Sequence, residues 1–527
     1  MSAQDWLVMA RADALRRGLD PLAPLLDGLA TSIQALRDAT TQMDADGAER
    51  GAGAADDAER KAGAAVGANG KPEGAVGPSA PSGIADLAAR LARGKVKAER
   101  LVEDCLAVIA ARQPELNAFI TVTADEALAA AREADREAAA GRTRGPLHGI
   151  PLSLKDLIDQ AGVPTTAASR VRVTHRAEAD APVTVRLRAA GAVFVGKTNL
   201  HEFAFGTTSE DSGFGAARHP LDSGRSPGGS SGGSAIAVAT GMSVASIGTD
   251  TGGSIRIPAA ACGIVGLKPA WGEVPAGGVV PLSRQLDHVG PMTRTVADAW
   301  LLYDVMRGFE SGGARPGAPA SCAGLRVGVP RGYLFDRLDE DVDRSVGEAL
   351  ERLRRAGAVV VDVAIACMSE APLAYLPLVL ADAAEIHGAT LDAMPAGYTP
   401  NVRLRLEMGR YVAGEDYVRA QRLRARLTRG VDAALSGVDV LALPALAIPA
   451  PPIGAATMPV RGGDEPVRTA MLRCTQPFNL TGHPAISLPC GTTRDGLPVG
   501  LQLVGHRRGT PRLLDHARAV EALIARA

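Results

Sequence analysis

Residues 226–269 read SPGGSSGGSAIAVATGMSVASIGTDTGGSIRIPAAACGIVGLKP. Two glycine-flanked serine turns frame an apolar segment. Gly228, Gly229, Gly232 and Gly233 surround Ser230 and Ser231, and Gly252 and Gly253 lead straight into Ser254. Glycine permits backbone geometries that other residues resist and lets a ligand or another backbone come close. Two such turns, each presenting a hydroxyl, predict one compact site where backbone N–H groups and serine oxygens converge.

Outward from this stretch the chain alternates helix and strand patterns. The pattern LRxAGAVxV occurs twice, at Leu187–Val195 and Leu353–Val361. Each copy reads as a helix, a glycine stop and a buried strand. Residues 150–154 alternate like a strand that ends at Lys155. Further strands are expected at 243–249, 325–329, 438–443 and 499–504, and one helical stretch over about 404–436. Such alternation indicates an α/β fold around a largely buried sheet. Helices are also expected from Ser82 as N-cap to Gly94, over 97–112, over 125–140 and over 182–190.

The N-terminal region differs. Residues 1–40 read as a helical appendage. Asp20-Pro21 makes an N-cap and N1 pair, followed by an apolar stripe at Leu22, Leu25, Leu26, Leu29, Ile33 and Leu36. Residues 41–82 are rich in Ala, Gly, Asp and Pro and nearly lack large apolar side chains, so they read as a disordered linker. The main domain is then 83–527.

Composition narrows the class. The 527 residues are 46% hydrophobic and carry a formal net charge of −1, with only 3% aromatics. Neither a basic excess nor stacking aromatics favour a nucleic-acid partner. The six cysteines are scattered without a CxxC pair and read as buried thiols in a reducing compartment. The nine histidines show no paired ligand spacing, so no metal is expected. Without a signal-type apolar core or a run of membrane-spanning length, a cytoplasmic protein with no membrane partner is expected.

Two motifs compete for attention. Gly191–Thr198, GAVFVGKT, fits the P-loop pattern. A phosphate cradle needs its middle residues in a loop, and Ala-Val-Phe-Val reads as a strand. Gly228–Gly232 fits the GxSxG nucleophile elbow around Ser230, which requires a later histidine base; His288, His387, His483 and His506 are available.

The fuller reading comes from several ordered blocks. GGSSGGS, GTDTGGSIR and CGIVGLKP, preceded by GPLHGIPLSLKD and VGKTNLHEFAFGTTSEDSGFG and followed by PFNLTGHPAISLPCG and GLPVGLQLVG, resemble the amidase signature family over roughly residues 83–527. Ser254 follows Ser230 by 24 residues and Lys155 by 99, the order and spacing of that family's Ser-Ser-Lys triad. The resemblance implies one large mixed β-sheet covered by helices on both faces, no cofactor, and a small-molecule amide substrate. It implies Ser254 as nucleophile, Ser230 as bridge after a cis peptide bond, and Lys155 as base. It leaves open a homo-oligomer and one alternative role, the glutamine-hydrolysing A-type subunit of a glutamyl-tRNA amidotransferase.

The chemistry of these residues fits. A serine hydroxyl attacks well only when a base takes its proton. Lysine serves only when neutral, and bringing its titration from ~10.4 to near 7 costs roughly 4 kcal/mol, which burial can supply. Asp156 would oppose that shift and is expected to point elsewhere. Thr251, Gly252 and Gly253 form a turn whose N–H groups can meet a developing oxyanion. Asp250 and Arg256 read as a structural pair holding that turn, and Cys262 as a core thiol. Ser209 and Ser231 are candidates for extra hydrogen bonds. Segments 284–290 and 370–420 are expected to supply substrate contacts.

Overall fold

Runs of Val, Ile and Leu between glycine stops pair into one mixed sheet of eleven strands. The computed structural model describes residues 9–11, 23–49, 83–309 and 321–524. Its strands are Phe119–Val122 (β1), Pro151–Lys155 (β2), Val193–Thr198 (β3), Ala245–Asp250 (β4), Val265–Lys268 (β5), His288–Thr293 (β6), Arg326–Pro330 (β7), Val359–Val363 (β8) and Val440–Pro444 (β9). Thr457–Val460 (β10) and Gly463–Pro466 (β11) form a separate hairpin, and Ala485–Thr492 (β12) and Pro498–Val504 (β13) return to the sheet. The order across it is β1-β3-β2-β4-β6-β5-β12-β13-β9-β7-β8. Helices cover both faces, so β2, β3, β4 and β6 are buried along their whole length.

β2 runs parallel to β3 on one side and to β4 on the other. Their carboxyl ends therefore lie side by side, where open α/β sheets form clefts. Lys155 ends β2 and Asp250 ends β4, so both flank that edge.

Four expectations need correction. The second LRxAGAVxV copy does not end in a buried strand. β8 is the outermost strand beside β7, and Val359 and Val361 are exposed there. Local sequence cannot tell an edge strand from a central one. The single helix over 404–436 is two, Pro400–Gly409 and Gly414–Leu435. Gly409 lies so close to the Ala371–Ala393 helix that a Cβ would meet Leu380 O at 2.1 Å; the chain then turns before the second helix starts. Five of the six thiols are buried, whereas Cys367 is half-buried. Finally, the N-terminal helix spans Ala23–Glu49, so it runs past the linker start expected at 41. Packing explains the extension: Thr40 is buried and Met43 lies against the core, which carries the helix beyond its apolar stripe. Asp20-Pro21, Leu22, Ser82 and the remainder of the linker, 50–82, lie outside the described residues.

The Ala23–Glu49 helix buries Leu26, Leu29, Ile33 and Leu36 against the helices at 371–393, 400–409 and 414–435. Arg37 fastens it, donating from Nε and Nη2 to the buried Asp416 carboxylate at 2.8 and 2.7 Å. Among the described residues no helix is long and apolar enough to cross a membrane.

Candidate active site

Strand alternation places the amine first. Successive side chains of a strand point to opposite faces. Lys155 turns one way and Asp156 the other, where Lys197 of β3 waits; Leu154 pairs with Lys197 in the register. Asp156 Oδ1 lies 3.0 Å from Lys197 Nζ, and its Oδ2 accepts from Thr166 N at 3.0 Å and from the Thr166 hydroxyl. Asp156 is thereby directed away from Lys155, as expected from the opposition it would offer to a lowered lysine pKa. Lys197 belongs to β3 and serves this pair, so GAVFVGKT forms a strand and not a phosphate loop.

Lys155 is fully buried and, among the described residues, forms no ion pair with a carboxylate. Its Nζ donates to Ser230 Oγ at 2.7 Å and to Thr249 Oγ1 at 2.8 Å. Burial disfavours the charged form and pulls the amine down to about 7, against the weaker opposing pull of Asp250 and Asp287.

Ser230 sits just before the Gly232–Thr240 helix, after a cis Gly229–Ser230 peptide bond. Ser209 clamps this loop: its Oγ donates to Gly228 O at 3.0 Å and accepts from Gly232 N at 3.1 Å. Ser231 ties the loop to β4 through its Oγ, 3.2 Å from Thr249 O. The Ser231 amide also donates to Ser254 O at 3.2 Å, which joins the two serine turns. The Ser254 hydroxyl opens on a narrow cleft with Thr251 and Gly252, and makes no hydrogen bond among the described residues.

A buried network shapes the second turn. Arg256 donates from Nε and Nη2 to Asp250 at 3.0 Å each, from Nη1 to Gln502 Oε1 at 2.7 Å and from Nη2 to Asn479 Oδ1 at 2.7 Å. Asp250 Oδ2 also accepts from Ile255 N at 3.1 Å. Burial alone would raise the Asp250 carboxyl; Arg256 overrides it and holds the group well below the usual carboxylate range. Thr475 Oγ1 donates to Gly252 O at 2.7 Å, fixing the peptide whose N–H faces the other way. The amides of Thr251, Gly252 and Gly253 make no hydrogen bond among the described residues.

A cavity of about 240 Å³ adjoins the cleft, lined by Thr249, Thr251, Leu282, Asp287 and His288 among others. Asp287 accepts from Thr251 Oγ1 at 2.6 Å and from the Leu282 and Ser283 amides at 2.9 and 3.1 Å. Burial raises its carboxyl to about 6 despite these bonds.

None of the four histidines available to the elbow reading bonds to either serine. His288 bonds to Leu286 O, His387 to Tyr398, His483 to Thr481 and Asp432, and His506 to Val438 O. Cys262 is buried, and burial pushes its thiol up, away from thiolate chemistry. Sequence reading missed Thr249, Tyr375, Arg468 and Thr475. Thr249 and Thr475 stood inside or beside quoted blocks. Tyr375 and Arg468 come from helices that no motif marks, although 375 falls within the segment expected to contact substrate.

With this geometry in view, the likenesses are informative. Residues 100–514 match the family described as Amidase, and the chain belongs to it. It is a hydrolase of carbon–nitrogen bonds with the amidase signature fold. The A-type subunit of the glutamyl-tRNA(Gln) amidotransferase of Chloroflexus aurantiacus (strain ATCC 29366 / DSM 635 / J-10-fl) is 41% identical over 451 residues, which cover 79% of this chain and 91% of that protein. An amidase of Pseudomonas putida is 41% identical over 427 residues, covering 79% and 90%. A solved crystal structure of an amidase, 37% identical, superposes with a TM-score of 0.80 over 84% of this chain and 100% of its own.

Proposed function

We propose that the chain hydrolyses a carboxamide through an acyl-enzyme on Ser254. One observation carries this reading: Lys155 is enclosed, pairs with no carboxylate among the described residues, and holds Ser230 Oγ at 2.7 Å. Neutral Lys155 takes the Ser230 proton while Ser230 takes that of Ser254, and Ser254 Oγ bonds to the substrate carbonyl carbon. The carbonyl oxygen becomes an oxyanion, which the N–H groups of Thr251, Gly252 and Gly253 receive; each such donor is typically worth ~3–4 kcal/mol. The tetrahedral species collapses, the C–N bond breaks, and the departing nitrogen takes a proton back through Ser230. Water then attacks the ester by the same route in reverse, releasing the acid and freeing Ser254. No step calls on a cofactor.

The second reading is an A-type subunit that frees ammonia from glutamine for a partner. The equal 41% identities to such a subunit of Chloroflexus aurantiacus and to the Pseudomonas putida amidase support both roles alike. Glutamine hydrolysis that appears only with added amidotransferase partner subunits would favour the second. The free thiols suit the reducing cytoplasm, which we take as the place of action.

The decisive experiment is a covalent serine probe mapped by mass spectrometry, followed by an amide library. Labelling at Ser254, lost in Ser254→Ala, supports the acyl-enzyme. Labelling elsewhere, or amide turnover surviving in Ser254→Ala, refutes it.

A further inference from the structure

Among the described residues, the walls of the Ser254 cleft carry one charged side chain, Arg468. It projects from the Val467–Leu472 helix, whose Val467, Ala470, Met471 and Leu472 are buried, so its backbone is firmly seated. Leu472 lies four residues on, on the same helix face, and lines the same cleft. Among the described residues Arg468 forms neither an ion pair nor a hydrogen bond. Its guanidinium stands 5.9 Å from the centre of the Phe205 ring.

A second guanidinium crowds the same place. Arg405 Nη1 donates to Phe205 O at 2.8 Å, and burial together with the charge of Arg468 pushes Arg405 down. Two cations thus meet around Phe205, and among the described residues Arg468 has no ion-pair partner. A partly buried charge without a partner is costly unless a ligand supplies one. A guanidinium presents a planar fork suited to a carboxylate. The cleft offers no carboxylate for a ligand ammonium, and in the adjoining cavity Asp287 already holds Thr251 and two backbone amides.

We infer that Arg468 is a specificity-determining residue that receives a substrate carboxylate, so that the preferred substrates are amides of short dicarboxylic acids. The inference rests on Ser254 being the reacting serine, which lines the same narrow cleft as Arg468.

Two matched pairs test it. Succinamate is compared with 4-methylpentanamide and glutaramate with 5-methylhexanamide, each neutral partner replacing the carboxylate by an isopropyl group. Wild-type kcat/KM should favour the anionic member of at least one pair by about tenfold or more. Arg468→Met should abolish that ratio, with the loss in KM, and Arg468→Lys should restore part of it. Equal rates within both pairs, or an unchanged ratio in Arg468→Met, would overturn the inference while leaving the Ser254 chemistry standing. Binding is read separately from turnover, by calorimetry on Ser254→Ala with succinamate and glutaramate. Weakening by about tenfold or more in Ser254→Ala/Arg468→Met supports the assignment. Failure of Ser254→Ala to bind either amido acid, or equal binding with and without Arg468, refutes it whatever the probe shows at Ser254.

Discussion

In the proposed mechanism Lys155 owes its reactivity to enclosure. Its amine is pulled to about 7 by burial, so it is protonated and unable to accept below that pH. Log kcat/KM should therefore fall with a slope near one per pH unit as pH drops through about 7. Asp287 acts to raise the amine, so Asp287→Asn should move this limb to lower pH; a limb that stays or moves upward contradicts the assignment. Stability carries the same signature. The unfolded lysine keeps its proton to ~10.4, whereas the folded one releases it near 7. Between those values the unfolded chain binds more protons, and stability rises with pH. Thermal melts from pH 7 to 10 should show that rise in wild type and less of it in Lys155→Ala. The same variant should keep its fold and lose on the order of 10³-fold or more in kcat, as other triad deletions do.

The serine turns depend on how their elements meet. The second turn is gripped from outside by Thr475 and by the Arg256–Asp250 pair. Gly253 has φ +146°, and a Cβ there would meet Thr475 Oγ1 at 2.2 Å. Gly253→Ala should cost about 1–3 kcal/mol through overcrowding and, by driving Thr475 off Gly252 O, reduce turnover more than stability; urea melts and kinetics on one preparation separate the two effects. Arg256→Met should be costlier. It strands the Asp250 carboxylate in the core, and breaking one side of a buried pair typically costs 3–5 kcal/mol. A loss below about 1 kcal/mol in urea denaturation would mean the pair is not the brace described.

Across the molecule, the N-terminal helix acts as a cover. It seals an apolar face of the helices at 371–393 and 414–435 with Leu26, Leu29, Ile33 and Leu36. One of those covered helices, Ala371–Ala393, also brings Tyr375 to the Ser254 cleft. Deleting residues 1–82 should uncover that face, lower Tm and promote self-association on gel filtration. Arg37→Ala should lower Tm less, because Arg419 Nη1 remains 2.9 Å from Asp416.

Much of this was legible along the chain. Gly191, before β3, has φ +95°, the geometry that let a glycine stop be read from sequence. The strand ending at Lys155 and the two glycine-lined serine turns were readable for the same reason: periodicity and glycine freedom are local properties. β1, β5, β6 and β12 escaped notice because short segments such as VGLK and HVGPMT carry no alternation of their own and become strands by pairing with neighbours. The edge position of β8 and the break after Gly409 were hidden for a similar reason, since each depends on what packs beside it. The contacts of Lys155 with Ser230 and Thr249, the choice of Lys197 as the partner of Asp156 and the lack of an ion pair at Arg468 among the described residues required the folded molecule. Each reflects which distant groups share an enclosed space, and a residue's exposure to water and to other charges is fixed only when remote segments come together.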